Sequence, residues 1–136
     1  MNSEYAQAFE KSQQQNHQVI PSLVFDVDGV IFQYDGWHGI DHYGKPLQDN
    51  IDLVNKLYDS DKYQICIWSS RTNELIQGYP KQELKERLKQ ELKKIGVKYH
   101  KILDENKPLY YCLIDDRVIN LDRIQMMRLY NMLENE

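Results

Sequence analysis

The chain has 136 residues, which is close to the usual size of a single domain, so we expect one hydrophobic core. Apolar residues make up 41% of the chain and charged residues 28%, a balance that excludes disordered, collagen-like and repeat proteins. The net charge of -4 argues against a protein that attracts nucleic acid through its overall field, so we expect nucleic acid only as a substrate.

No segment of the sequence resembles a membrane anchor or an export signal. The apolar runs are far shorter than the roughly 18 to 20 residues that a membrane-spanning helix needs. Residues 1–18 are polar and Gln-rich, without the basic start and apolar stretch of a signal peptide, and we expect a tail or an accessory helix there. We therefore expect a cytoplasmic protein with no membrane partner and a single domain over residues 19–136.

The first half of that domain contains two apolar runs separated by a flap and a helix. Residues 22–25 form a short apolar run that stops at Asp26, which predicts a buried strand with a polar end. Residues 30–45 combine aromatic residues with glycines and predict a flap or hairpin. Pro46 begins a helical pattern, and residues 65–68 predict a second buried strand. The apolar positions of the helix are Leu47, Ile51, Val54 and Leu57.

The second half repeats this alternation of helices and strands. Pro80 begins a helix that Gly96 ends, and residues 97–103 predict a short strand. Residues 109–114 predict a further strand, followed by a closing helix. Apolar strands alternating with helices predict an α/β fold, a three-layer α/β/α Rossmann-like sandwich with a mainly parallel central sheet. The apolar faces are Leu84, Leu88, Leu92 and Ile95 in the first of these helices, and Leu121, Ile124 and Met127 in the closing helix.

Polar and charged clusters directly follow three of the predicted strands. Because the carboxyl ends of parallel strands lie at one edge of a sheet, we expect the clusters to meet there. Carboxylates that meet need a counter-charge, and ligation by oxygen alone selects a hard cation, here Mg²⁺ bound beside a phosphate. The clusters are Asp26 and Asp28; Ser69, Ser70 and Arg71; and Asp115, Asp116 and Arg117.

Aspartates beside magnesium are suited to phosphoryl transfer. An ionised Asp26 can attack phosphorus to form an aspartyl phosphate, while Asp28 protonates the leaving oxygen and later takes a proton from water. Ser69 can donate a hydrogen bond to a phosphoryl oxygen, and Lys107 can neutralise charge on the nucleophile and the transferred group. The sequence thus predicts a phosphorylated substrate.

The order of these residues resembles the haloacid dehalogenase superfamily of phosphohydrolases. The resemblance implies that Asp26 is the nucleophile and Asp28 the general acid and base of a phosphate monoester hydrolase. It further implies that Mg²⁺ is bound by Asp26, by the backbone carbonyl of Asp28 and by an acid of the last motif, Asp115 or Asp116. The four motifs lie at residues 23–30, 65–71, 107–108 and 112–117.

The chain departs from the better-known members of that superfamily because it has no room for an inserted cap domain. The resemblance therefore implies an open site, which a second copy of the chain could cover, and it leaves the substrate undefined among nucleotides, sugar phosphates and nucleic-acid ends. A phosphotransferase of the same fold and a non-catalytic magnesium-binding module are the alternatives. A receiver-type phosphoacceptor is disfavoured because its acidic pair comes early in the chain, whereas Asp115 and Asp116 come last.

Several residue assignments within the motifs stay open. Ser69, Ser70, Arg71 and Lys107 are the candidates for substrate binding, and either serine could supply the hydroxyl. Arg71 is more often structural in such a position, paired with the acidic cluster or with a neighbouring loop. Asp115 and Asp116 could divide direct and water-mediated metal contact in either order.

Two histidines and two cysteines carry weaker signals. His38 and His42 are four residues apart in the flap, but a metal site there lacks both a helical pattern and a third ligand in the sequence. We interpret them as flap residues near the substrate. Cys66 and Cys112 lie in apolar runs and predict buried thiols in a reducing compartment.

Overall fold

The computed structural model describes residues 20–110, together with the single residues Gln7, Asp116, Val118 and Asn131. Ser22–Leu109 form one compact unit, and Met1–Pro21 with Tyr110–Glu136 form a second. Apart from those single residues, the predicted tail and closing helix lie outside the described residues, as do Asp115, Cys112 and most of the predicted strand 109–114. Within the described part, no helix is both long and apolar enough to cross a membrane.

A parallel sheet of three strands forms the centre of the unit Ser22–Leu109. The strands are β1 (Ser22–Phe25), β2 (Gln64–Ile67) and β3 (Lys101–Ile102), hydrogen-bonded in the order β1-β2-β3. Phe25 of β1 pairs with Ile67 of β2, which pairs with Ile102 of β3. The predicted parallel sheet of an α/β fold is therefore confirmed for these three strands.

Two long helices and one short helix accompany the sheet. They are α1 (Gln48–Asp59), α2 (Glu74–Gln77) and α3 (Lys81–Lys94), and a 3₁₀ turn spans Ser70–Thr72. The central positions of the apolar stripes predicted from helical spacing face the core, whereas the predicted end positions Leu47 and Ile95 lie just outside the helices and are partly exposed. Buried positions are Ile51, Leu53, Val54 and Leu57 in α1 and Leu84, Leu88 and Leu92 in α3.

The boundaries of three elements differ from the prediction. α1 begins at Gln48 instead of Pro46, because Pro46 forms an antiparallel bridge with Phe32 and is held outside the helix. β2 starts and ends one residue earlier than the predicted strand 65–68. The predicted strand 97–103 shrinks to Lys101–Ile102, because Val97 still donates its N–H to the Leu92 carbonyl at 3.0 Å in the C-terminal turn of α3.

The loops that follow β1 and β2 are fixed to each other and to the core. The N–H of Trp68 donates to the Phe25 carbonyl at 3.0 Å, which continues the strand pairing beyond β2. Val27 and Ile31 are fully buried, and the amide of Asn50 in α1 donates to the Val30 carbonyl at 2.8 Å. Residues after the two strands are therefore placed side by side by the sheet and anchored by α1.

Candidate functional site

An ion pair joins the first and third motifs at the end of β1. Asp26 directly follows the strand, and the Nζ of Lys107 lies 3.1 Å from its Oδ2. The other carboxylate oxygen, Oδ1, accepts the N–H of Val27 at 2.7 Å. The side chain of Lys107 is 7% exposed and that of Asp26 is 35% exposed, so the ammonium is enclosed while the carboxylate reaches solvent. The structure thus brings the predicted nucleophile and the predicted lysine into contact.

Lys107 is held by the turn that follows β2. The buried side-chain amide of Asn73 donates to the Lys107 carbonyl at 2.9 Å, and its Oδ1 accepts the N–H of Leu75 at 3.0 Å at the start of α2. The indole of Trp68 donates to the Glu105 carbonyl at 2.8 Å. Asn73 is not among the site residues predicted from the sequence, although an Asn immediately before a short helix is a typical N-cap.

The second aspartate of the first motif forms a bidentate ion pair with Arg71. Nε and Nη2 of the guanidinium each lie 2.8 Å from one oxygen of Asp28. The Arg71 side chain is 5% exposed and that of Asp28 is 18% exposed. Planar two-point pairing of this kind fixes both side chains, and it matches the expected structural pairing of Arg71 with the acidic cluster.

Arg71 also fixes the flap. Its Nη2 donates to the His42 carbonyl at 2.7 Å and its Nη1 to the Ile40 carbonyl at 3.4 Å. The guanidinium carbon lies 3.9 Å from the ring centre of Tyr43 and 5.0 Å from that of Trp37. Burial raises the pKa of the Tyr43 hydroxyl to about 12, and the charge of Arg71 opposes this shift. One arginine therefore joins Asp28 to residues 37–43.

The two serines of the second motif differ in burial. Ser69 is 1% exposed, and its Oγ accepts the N–H of Arg71 at 3.1 Å while its carbonyl accepts the hydroxyl of Thr72 at 3.1 Å. Because the Ser69 oxygen acts as an acceptor here, its hydroxyl proton remains available for a further hydrogen bond. Ser70 is partly exposed, and its carbonyl accepts the side-chain amide of Gln77. Ser69 holds the turn that carries Arg71.

Oxygen donors for a hard cation are available at the end of β1. The partly exposed Asp26 carboxylate is the kind of ligand that Mg²⁺ prefers, so the donor chemistry fits that ion. Both carboxylate oxygens of Asp28 are engaged by Arg71. Asp115 lies outside the described residues, and Asp116 is exposed and belongs to the other unit. Assembly of all four acids around one ion stays a prediction.

The flap contains a cluster of three potential metal ligands, of which the sequence indicated only the two histidines. Asp35, His38 and His42 each offer a ligand atom, and the three atoms lie within 4.8 Å of one another. His38 Nε2 lies 3.9 Å from Asp35 Oδ1, and the two imidazole rings are 5.0 Å apart between centres. The third potential ligand is Asp35, which the spacing of the two histidines does not indicate. The turn of the flap brings Asp35 alongside them.

Comparison with known proteins supplies a fold but no family. No family model matches the chain, and no curated protein matches it. A crystal structure of an MCSG target from Vibrio cholerae is similar with a TM-score of 0.60 and 20% sequence identity. The match covers 83% of this chain and 98% of that one. At this identity the likeness concerns the fold alone.

Proposed function

We propose that the protein is a magnesium-dependent phosphatase of the haloacid dehalogenase type that hydrolyses phosphate monoesters through an aspartyl phosphate on Asp26. The proposal includes the three-layer α/β/α Rossmann-like sandwich of that superfamily, of which the three parallel strands would be part. The observation that carries it is the 3.1 Å contact between Lys107 and Asp26. Two motifs distant in sequence meet as the resemblance requires.

In the first step an oxygen of the Asp26 carboxylate attacks phosphorus, and the bond between phosphorus and the ester oxygen breaks. The leaving oxygen would take a proton from Asp28, which must first part from Arg71 to carry that proton, because both of its oxygens accept from the guanidinium. Lys107 is enclosed beside Asp26, where an ammonium offsets negative charge more effectively than it would in water. Ser69 would donate its hydroxyl to a phosphoryl oxygen.

In the second step a water oxygen attacks the phosphorus of the aspartyl phosphate. The water gives a proton to Asp28, the bond between phosphorus and the Asp26 oxygen breaks, and inorganic phosphate leaves. The resemblance implies that Mg²⁺ would be held by the Asp26 carboxylate and the backbone carbonyl of Asp28, with Asp115 or Asp116. That ion, when bound, offsets the negative charge that the carboxylates and the phosphoryl group bring together.

Hydrolysis of an aryl phosphate, with and without Mg²⁺, tests the proposal. Wild type should release phosphate only with the ion, and Asp26→Asn should lose that release while keeping its fold. Asp59→Asn is the matched control, because Asp59 is an exposed carboxylate of the same unit, paired with Lys98. Turnover that survives in Asp26→Asn would contradict the nucleophile. Adding alcohol acceptors distinguishes a phosphatase from a phosphotransferase of the same fold, since a phosphotransferase would form a new ester instead of inorganic phosphate.

A further inference from the structure

We propose that the flap binds a first-row transition metal ion, with Zn²⁺ as the expected occupant, through Asp35, His38 and His42. This inference does not depend on the proposed phosphatase activity, because none of the three residues belongs to its motifs. It rests on the closeness of three ligand atoms and on their chemistry.

The donor set selects the kind of ion. Two imidazoles and one carboxylate suit Zn²⁺ and its first-row neighbours, whereas Mg²⁺ is bound by oxygen ligands alone. The flap cluster is therefore chemically different from the candidate site at Asp26, where the donors are oxygens. Magnesium in excess should leave the flap cluster free for zinc.

The distances between the three ligand atoms need only a small adjustment to fit a zinc ion. In a tetrahedral zinc site with bonds of about 2.1 Å, neighbouring ligand atoms are about 3.4 Å apart. The ligand atoms of the flap lie within 4.8 Å of one another, and the pair formed by His38 and Asp35 is already at 3.9 Å. These two side chains are 55% and 65% exposed, so they can rotate toward an ion without displacing core residues. The exposed side of such a site leaves a coordination position for water.

The backbone of the flap is organised before any ion binds. The N–H of His42 donates to the Gly39 carbonyl at 3.3 Å, and the carbonyl of His42 accepts from the buried Arg71. Gly36 and Gly39 have φ angles of +110° and +102°, a region that residues with side chains rarely adopt. The resulting turn brings Asp35 and His38 next to His42. Organisation of this kind lowers the cost of ordering the ligands on binding.

The test is a competition between the metal-free full chain and a chromophoric zinc chelator, performed in millimolar Mg²⁺. We expect wild type to take up one equivalent of Zn²⁺. His38→Ala, His42→Ala and Asp35→Asn should each weaken the affinity by about tenfold or more. Asp41→Asn is the matched control, because Asp41 is a flap carboxylate that pairs with Arg87 outside the cluster.

Two results would overturn the proposal. One is a wild-type chain that does not compete for zinc, and the other is zinc binding that persists unchanged in both histidine variants. The Asp26→Asn variant separates this site from the proposed active site. Zinc binding should be unchanged in that variant, and its loss there would place the ion at the end of β1 instead of the flap. No phosphate ester is used, so failure of the phosphatase proposal leaves this test unaffected.

Discussion

Replacing Arg71 by alanine is expected to be the most destabilising single change at the candidate site. The guanidinium is 5% exposed, contacts both oxygens of Asp28, donates to the His42 carbonyl and lies over the ring of Tyr43. Its removal leaves a largely buried carboxylate without its partner and releases the flap from the turn after β2. The stability of the domain and the position of Asp28 both depend on the Arg71 side chain.

The magnitude follows from the burial of the pair. Removing one partner of a buried ion pair costs about 3–5 kcal/mol, because the remaining charge stays poorly solvated. Asp28 keeps 18% of its side-chain surface exposed, which favours the lower end of that range, about 3 kcal/mol. A domain of this size is stable by about 5–15 kcal/mol, so the variant should still fold.

Urea unfolding, followed by tryptophan fluorescence and far-ultraviolet circular dichroism, measures the loss. Arg87→Ala is the matched control, since Arg87 forms a partly exposed i,i+4 pair with Glu83 and should lose far less stability. In a double-mutant cycle, Asp28→Asn should recover part of the loss caused by Arg71→Ala. Equal losses in the free energy of unfolding for Arg71→Ala and Arg87→Ala would contradict a stabilising role of the buried ion pair.

Three further variants test the surroundings of the site. Because burial raises the pKa of Tyr43 from 10.0 to about 12, the folded chain keeps a proton that the unfolded chain releases, so stability should fall as pH rises from 10 to 12. Unfolding of Tyr43→Phe should show a shallower decline over that range, and identical slopes would contradict the shift. Lys107→Met should lower kcat on an aryl phosphate about a hundredfold, and because the Asp26 carboxylate that it leaves is 35% exposed, it should lower the urea midpoint less than Arg71→Ala does. A native kcat would remove Lys107 from the mechanism. Asn73→Ala should cost about 2 kcal/mol in urea unfolding, since it removes the cap of α2 and the contact with the Lys107 carbonyl; an unchanged midpoint would contradict that role.

Strands and helices whose formation depends mainly on the local sequence pattern could be predicted from the sequence. Ser22–Phe25 is a strand as expected, and α3 begins directly after Pro80 with its leucines facing the core. Long-range contacts changed what local pattern suggested elsewhere. Ile65 donates its N–H to the His100 side chain at 2.8 Å, a bond that no strand propensity encodes. The apolar run of β1 predicts burial on both faces, yet Val24 is half exposed.

At the candidate site, the sequence predicted which residues take part but only some of the side-chain pairs that they form. Lys107 was associated with Asp26 through the order of the motifs and the resemblance, because it is not among the clusters that directly follow a predicted strand. The two-point pairing of Asp28 with Arg71 was expected only as one of two structural options. Asp35 was missed because its approach to the histidines depends on the left-handed glycines of the flap, and sequence spacing does not give that geometry.

Chemical trapping of the phosphorylated aspartate tests whether Asp26 is the nucleophile. The full chain would be mixed with an aryl phosphate and Mg²⁺, quenched in acid during turnover and treated with borohydride, which reduces an aspartyl phosphate to homoserine. Peptide mass spectrometry then locates the reduced residue. We expect homoserine at position 26, dependent on both substrate and Mg²⁺. Turnover that leaves Asp26 unmodified, or that modifies another carboxylate, would contradict it.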